Sequence, residues 1–250
     1  MIKILQVRNI DSFVESRRQK TSEKDRKTVQ AILNDVRKNG DSAVKKYERK
    51  FNGRKTSQLR VSAKEIKEAR SKISREEVTA LQTMSARLSN SSPKIQIRGS
   101  RKFVAIPSVG CYIPGGQARY PSSVVMSVIP AKIAGVKRIV IVSPPDRDGK
   151  IDPLTIVAAK KCGATEIYKI GGAQAIGALA YGTKSIPKVD KIVGPGGKFV
   201  SIAKSLVSDQ TAIDMVAGPT ELGIIADASS NPELVALDMI SQAEHSKDTM

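Results

Sequence analysis

From Phe103 onward the chain keeps one rhythm, and that rhythm leaves few folds open. Short β-branched runs (Val104–Tyr112, Ile139–Val142, Glu166–Ile170, Lys191–Val193, Thr211–Met215 and Leu222–Ala226) alternate with stretches of helical composition. The latter lie near Ser122–Ala134, Pro153–Lys161, Ala173–Ala180, Lys198–Val207 and Pro232–His245. Strands this short, each followed by a helix, build βαβ units around a mainly parallel sheet. The first of these helices is mostly apolar with Pro130 inside it, which predicts a buried helix kinked or broken at the proline.

Glycines fall at the strand ends: Gly115-Gly116, Gly171-Gly172 and Gly194-Pro-Gly-Gly197. In doubly wound sheets ligands sit outside the carboxyl ends of the strands, where glycine lets the backbone approach a phosphate or a ring. Three such junctions favour a nucleotide or cofactor crevice. None completes the dinucleotide fingerprint, since Phe199 stands where a third glycine would follow Gly194 and Gly196. The spacing alone therefore leaves both a dinucleotide site and ordinary βα turns open.

Residues 1–102 read mostly as helix. Thr21-Ser-Glu-Lys opens an amphipathic run through Val29, Ile32, Leu33 and Val36 that Gly40 ends; a second runs from Asp41 to about Asn52-Gly53. Ala63–Arg70 and Glu76–Leu88 follow, joined by a capping turn at Ser71–Arg75. This part holds 27 Lys and Arg against 11 Asp and Glu, a net +16 of the chain's +18; residues 103–250 hold 15 against 13. A basic excess invites a nucleic-acid reading. Acids are interleaved with the bases, however, and Phe13, Tyr47 and Phe51 are too few aromatics for base stacking. The expectation is a solvated face and no nucleic-acid partner.

Cys111 and Cys162 form no CxxC pair, the start lacks an apolar signal core, and no apolar run is long enough to span a bilayer. A soluble, reduced, cytoplasmic protein with no membrane contact is expected. The final helix carries the chain's one histidine, His245, three residues after Gln242, so the two share a helix face. By itself a lone histidine reads as a surface or hydrogen-bonded core residue.

Seven segments together resemble the histidinol dehydrogenase family. They are Val109-Gly-Cys-Tyr-Ile-Pro-Gly-Gly116, Tyr120-Pro-Ser-Ser-Val-Val-Met126, Ile129-Pro-Ala-Lys-Ile-Ala-Gly135, Ile170-Gly-Gly-Ala-Gln-Ala-Ile176, Ile186-Pro-Lys-Val-Asp-Lys-Ile-Val-Gly-Pro-Gly196, Ile213-Asp-Met-Val-Ala-Gly-Pro-Thr-Glu221 and Ser241-Gln-Ala-Glu-His245. The resemblance implies an NAD-dependent, zinc-requiring oxidation of L-histidinol to L-histidine in two steps, the end of histidine biosynthesis, by a homodimer. It implies Tyr112 and Gln174 as cofactor contacts, offered as donors to ribose or phosphate oxygens. It implies Gln242 and His245 as ligands of one zinc ion per site that also holds the substrate, and Thr220 as a substrate contact. Where the family has an asparagine after Gly-Pro-Gly, this chain has Gly197.

The same resemblance implies groups this sequence does not contain. The family's general-base histidine, a zinc aspartate and a second zinc histidine come from a C-terminal part, so no catalytic residue is assigned here. The expectation is an N-terminal portion, with activity requiring a C-terminal part on the same or a separate chain. A family member acting on another small diol and a non-catalytic binding remnant stay open. The expected architecture is α/β, with two Rossmann-like parallel-sheet units, one discontinuous and truncated, preceded by a helical N-terminal segment. Residues 1–18 form that segment, 19–107 plus 218–250 the incomplete unit and 108–217 the complete one. The incomplete unit is expected to expose apolar surface.

Overall fold

The structure, a computed structural model, describes residues 8–17, 22–53, 58–91, 104–115, 119–146, 148–216 and 222–243. Five helices come first: α1 (Ile10–Arg17), α2 (Glu23–Asn39), α3 (Asp41–Asn52), α4 (Ala63–Ser71) and α5 (Arg75–Ser91). Their ends follow from local chemistry. Ser22 caps α2 by accepting from Asp25 N, and Gly53, in the left-handed region, ends α3. Ser62 and Glu65 make a reciprocal capping box on α4, and Ser74 and Glu77 do the same on α5.

Strand and helix then alternate as β1 (Ser108–Tyr112), α6 (Pro121–Ile133), β2 (Arg138–Ser143), α7 (Pro153–Cys162), β3 (Glu166–Lys169), α8 (Gly172–Tyr181), β4 (Lys191–Val193), α9 (Lys198–Val207) and β5 (Ala212–Ile213); α10 (Pro232–Ala243) follows. All pairings are parallel, and the order is β3-β2-β1-β4-β5. Helix α6 runs through Pro130 without a break. The missing proline N–H costs the bond to the Met126 carbonyl, yet the helix continues and Ala134 N donates to Pro130 O at 2.8 Å.

Alternate residues of the central strands feed two apolar layers. Tyr112, Val140 and Val142 pack with α2, α3, α8 and α9; Val109, Cys111, Ile139 and Ile141 pack with α4 to α7. Both faces are covered, as a parallel sheet requires. The N-terminal helices thus form an outer wrap, and the wrap crosses the sheet at its β3 edge. There Val61 N donates to Ile167 O (2.8 Å) and Lys169 N to Leu59 O (2.7 Å), an antiparallel bridge that occupies the edge strand's open backbone groups.

The last described segment is bare by comparison. Leu222–Ala226, expected as a strand, is irregular chain outside the sheet, and no residue of α10 is buried. Ile225, Leu234, Leu237 and Ile240 are all exposed, so this segment presents apolar surface to solvent.

Candidate functional site

The strand order makes β1 a switch point: the chain runs from β1 to β2 and β3 on one side, then crosses back to β4 and β5 on the other. The crevice such a sheet offers lies beyond the carboxyl ends of β1 and β4. At β4 the exit turn is Gly194-Pro195-Gly196-Gly197. Gly194 has φ +106°, and a Cβ there would lie 2.2 Å from the carbonyl oxygen of Tyr112, so only glycine lets the turn rest on the end of β1.

Two charged side chains fix this turn. Asp214, just past β5, accepts from Gly194 N (2.8 Å) and Met215 N (2.6 Å) and pairs with Lys204 of α9, whose ammonium also donates to Gly194 O (3.0 Å). Burial alone would raise the Asp214 carboxyl. The Lys204 ammonium and the two backbone N–H groups outweigh it and hold the pKa below the ordinary value. Beneath the turn the Cys111 thiol is pushed up to about 12, by burial and then by the Asp214 charge, which makes it an inert core residue. An open hollow of about 540 Å³ adjoins, with Val104, Ile106, Met126 and Val193 as apolar walls and Asp214 at its rim.

The second glycine junction, between β3 and α8, is built differently. Gly171 N donates to the Glu48 carboxylate of α3 (2.9 Å), and Gly172 N donates to the Tyr112 phenol oxygen (3.1 Å). The same Glu48 oxygen accepts from the Gln174 side-chain amide (2.8 Å). Glu48, Tyr112 and Gln174 are all buried, with exposures of 0, 4 and 2%. The Tyr112 phenol is pushed up to about 12, chiefly by burial, with the Gly172 N–H opposing and the Glu48 charge adding. It stays protonated at neutral pH.

The structure therefore gathers Tyr112 and Gln174, the two expected cofactor contacts, at one turn. Tyr112 accepts from Gly172 N and keeps its phenol O–H as a donor. Gln174 gives one N–H to Glu48, and its buried carbonyl oxygen, an acceptor, has no partner among the described residues. Sequence reasoning missed Glu48, Lys204 and the role of Asp214. A signal existed: Glu48 follows Val44 and Tyr47 on the apolar stripe of α3, and Lys204 follows Val200 and Ala203 on that of α9, so each is a charge where a core residue belongs.

Of the expected substrate and metal residues, Thr220 and His245 lie outside the described residues. Gln242 is half-buried in the last turn of α10, and its side-chain nitrogen is buried with no hydrogen-bond partner among the described residues. Among the described residues no cluster of three His, Cys, Asp or Glu could hold a metal ion. Toward zinc this chain offers the Gln242 amide oxygen and the His245 imidazole, two donors where a catalytic site takes three and an open position. Among the described residues no helix is long and apolar enough to cross a membrane.

Residues 15–250 match the sequence profile of the family described as histidinol dehydrogenase. The histidinol dehydrogenase of Bacillus licheniformis is 45% identical over 236 residues, covering 90% of this chain and 55% of the relative. Those of Methanocaldococcus jannaschii and Streptococcus mutans are 46% and 47% identical, each covering 87% of this chain. Among solved structures, the crystal structure of histidinol dehydrogenase from Elizabethkingia anophelis superposes with a TM-score of 0.85 at 36% identity, over 96% of this chain and 59% of that one. The chain spans about half the length of the curated relatives it matches.

Proposed function

Because the chain belongs to the histidinol dehydrogenase family, we propose that it supplies the nucleotide-binding half of an enzyme that oxidises L-histidinol to L-histidine, using NAD and zinc. The carrying observation is the carboxyl rim of the sheet: a glycine turn at the β1–β4 switch point and a second beyond β3, with Tyr112 from the end of β1 and the Gln174 oxygen, unpartnered among the described residues, beside the latter. That orphaned oxygen, and the absence of a Cβ on Gly172 over it, suit a ligand group approaching closely. NAD bound there would supply the hydride acceptor.

The chain's own residues divide the work. Glu48 and Tyr112 take the first two amides at the start of α8, those of Gly171 and Gly172, whereas α9 follows Gly197 with no side-chain cap and has Lys198 in its first turn. The β4–α9 turn is thus the place for the cofactor's phosphates. Gln242 and His245 would hold one side of the zinc, which acts as a template for the substrate's imidazole and amine. His245 is the only histidine in the sequence. Assigned to the metal, it leaves the general base and the remaining zinc ligands to residues outside these 250. We place the assembly in the cytoplasm as a homodimer, with exposed Leu234, Leu237 and Ile240 of α10 covered in the complete enzyme.

The test combines the 250-residue chain with zinc and the C-terminal part of the Bacillus licheniformis relative, and follows NADH formation with histidinol. Activity that neither part shows alone is expected. A folded, zinc-loaded complex that forms no NADH would contradict the reading.

A further inference from the structure

We infer that Glu48 is a positioning residue: it closes the β3–α8 turn and orients Gln174 so that the carbonyl oxygen of that side chain, unpartnered among the described residues, is turned toward a ligand. This rests on the reading of the crevice as a cofactor site and specifies what that site accepts. Helix N-termini attract anions because their first N–H groups lack partners. At α8 the anion is internal: Glu48 reaches across from α3, with no exposed surface of its own, and takes the Gly171 N–H at 2.9 Å. Tyr112 takes the next amide, that of Gly172. A phosphate at this helix end would have to displace both.

The second consequence falls on Gln174. An amide side chain has one donating and one accepting end. Glu48 accepts from the donating end at 2.8 Å, so the accepting end must face away from α3. That oxygen is buried and unpartnered, and a buried unpaired acceptor is costly enough to require a reason. Gly172 lies directly against it. Its φ is +59°, and a Cβ there would lie 2.8 Å from the same oxygen, so a side chain at this position would press on it. The group that fits is therefore a hydrogen-bond donor on the ligand, such as a ribose hydroxyl or an amide or amine N–H. A phosphate oxygen does not fit.

The experiment titrates the 250-residue chain with NAD by calorimetry in three forms: wild type, Glu48→Ala and Glu48→Gln. Hydrogen exchange is followed at the Gly171 amide and, by NMR, at the Gln174 side-chain N–H protons. The amide oxygen of Glu48→Gln can still accept both bonds, so affinity within about threefold of wild type is expected there, against a loss of about tenfold or more in Glu48→Ala. Rescue by glutamine separates positioning from a need for charge. A folded Glu48→Ala protein with wild-type affinity overturns the proposal. Should that variant not fold, wild type decides: protected Gln174 side-chain protons that stay protected when NAD binds support it, and their release by NAD overturns it. If wild type does not bind NAD while those protons are protected, the cofactor reading falls and the hold of Glu48 on the turn stands.

Discussion

The two glycine turns at the rim of the sheet look alike as sequence and are opposite as chemistry. Gly171-Gly172 is sealed from below by Glu48 and Tyr112, so the start of α8 already has its anion. Gly194–Gly197 is braced from the side by Lys204 and Asp214, which hold the N–H and C=O of Gly194 and leave the start of α9 uncapped. At the first turn two backbone amides are held by the protein and a buried acceptor stands beside them; at the second the first amides of the helix have no side-chain partner. A glycine pair after a strand therefore says where backbone comes close; buried charges on neighbouring helices decide what it comes close to.

The sharpest way to break this contrast is to remove the brace. Lys204 is almost fully buried, and Lys204→Met leaves the Asp214 carboxylate without its ion pair. A loss of about 3 kcal/mol is expected, at the low end for a broken buried pair because Asp214 keeps part of its surface in water; urea denaturation measures it. Acid should do the same more gently. Asp214 has a folded-state pKa below its ordinary value, so its contribution is complete above the unfolded carboxylate value, about 3.9, and is lost as pH falls through the depressed folded value. Hydrogen exchange at the Gly194 amide should accelerate over that range in wild type. In Lys204→Met the acceleration should begin at higher pH.

The smallest expected effect sharpens the contrast instead. Gly197 has extended backbone, φ −66° and ψ 177°, and a Cβ there meets nothing within 4 Å. Gly197→Asn should fit without strain, cap α9 and stabilise the chain by a few tenths of a kcal/mol, about 0.5 at most. If the open turn is the phosphate site, the capping side chain occupies amides the phosphate would take, and NAD affinity should fall, read by the same calorimetry. A stabilised variant with unchanged affinity would show that the phosphates bind elsewhere.

Much of this architecture was legible in the residues. The alternation from Phe103 onward marks β2, β3 and β4 and the helices between them, because buried parallel strands need unbroken β-branched runs and each run is bounded by glycine or proline. Leu222–Ala226 has the same composition and forms no strand. Its β-branched residues favour a pleated surface only when a neighbouring strand supplies one, and among the described residues none does. Tyr112 and Gln174 were reached through the family resemblance, and the fold brings them to one turn. Glu48 was not, because Lys45, Lys46, Arg49 and Lys50 surround it in sequence and make it look like one more charge on a solvated face. Its bond to Gly171 spans 123 residues, and local pattern carries no trace of such a pairing.

The most direct test of the difference between the turns is an amide chemical-shift titration of the 250-residue chain with NAD. The account predicts that the amides of Gly197, Lys198 and Phe199 move on binding, whereas those of Gly171 and Gly172 keep their positions because Glu48 and Tyr112 already hold them. Large shifts at Gly171 and Gly172 with none at the start of α9 would contradict it.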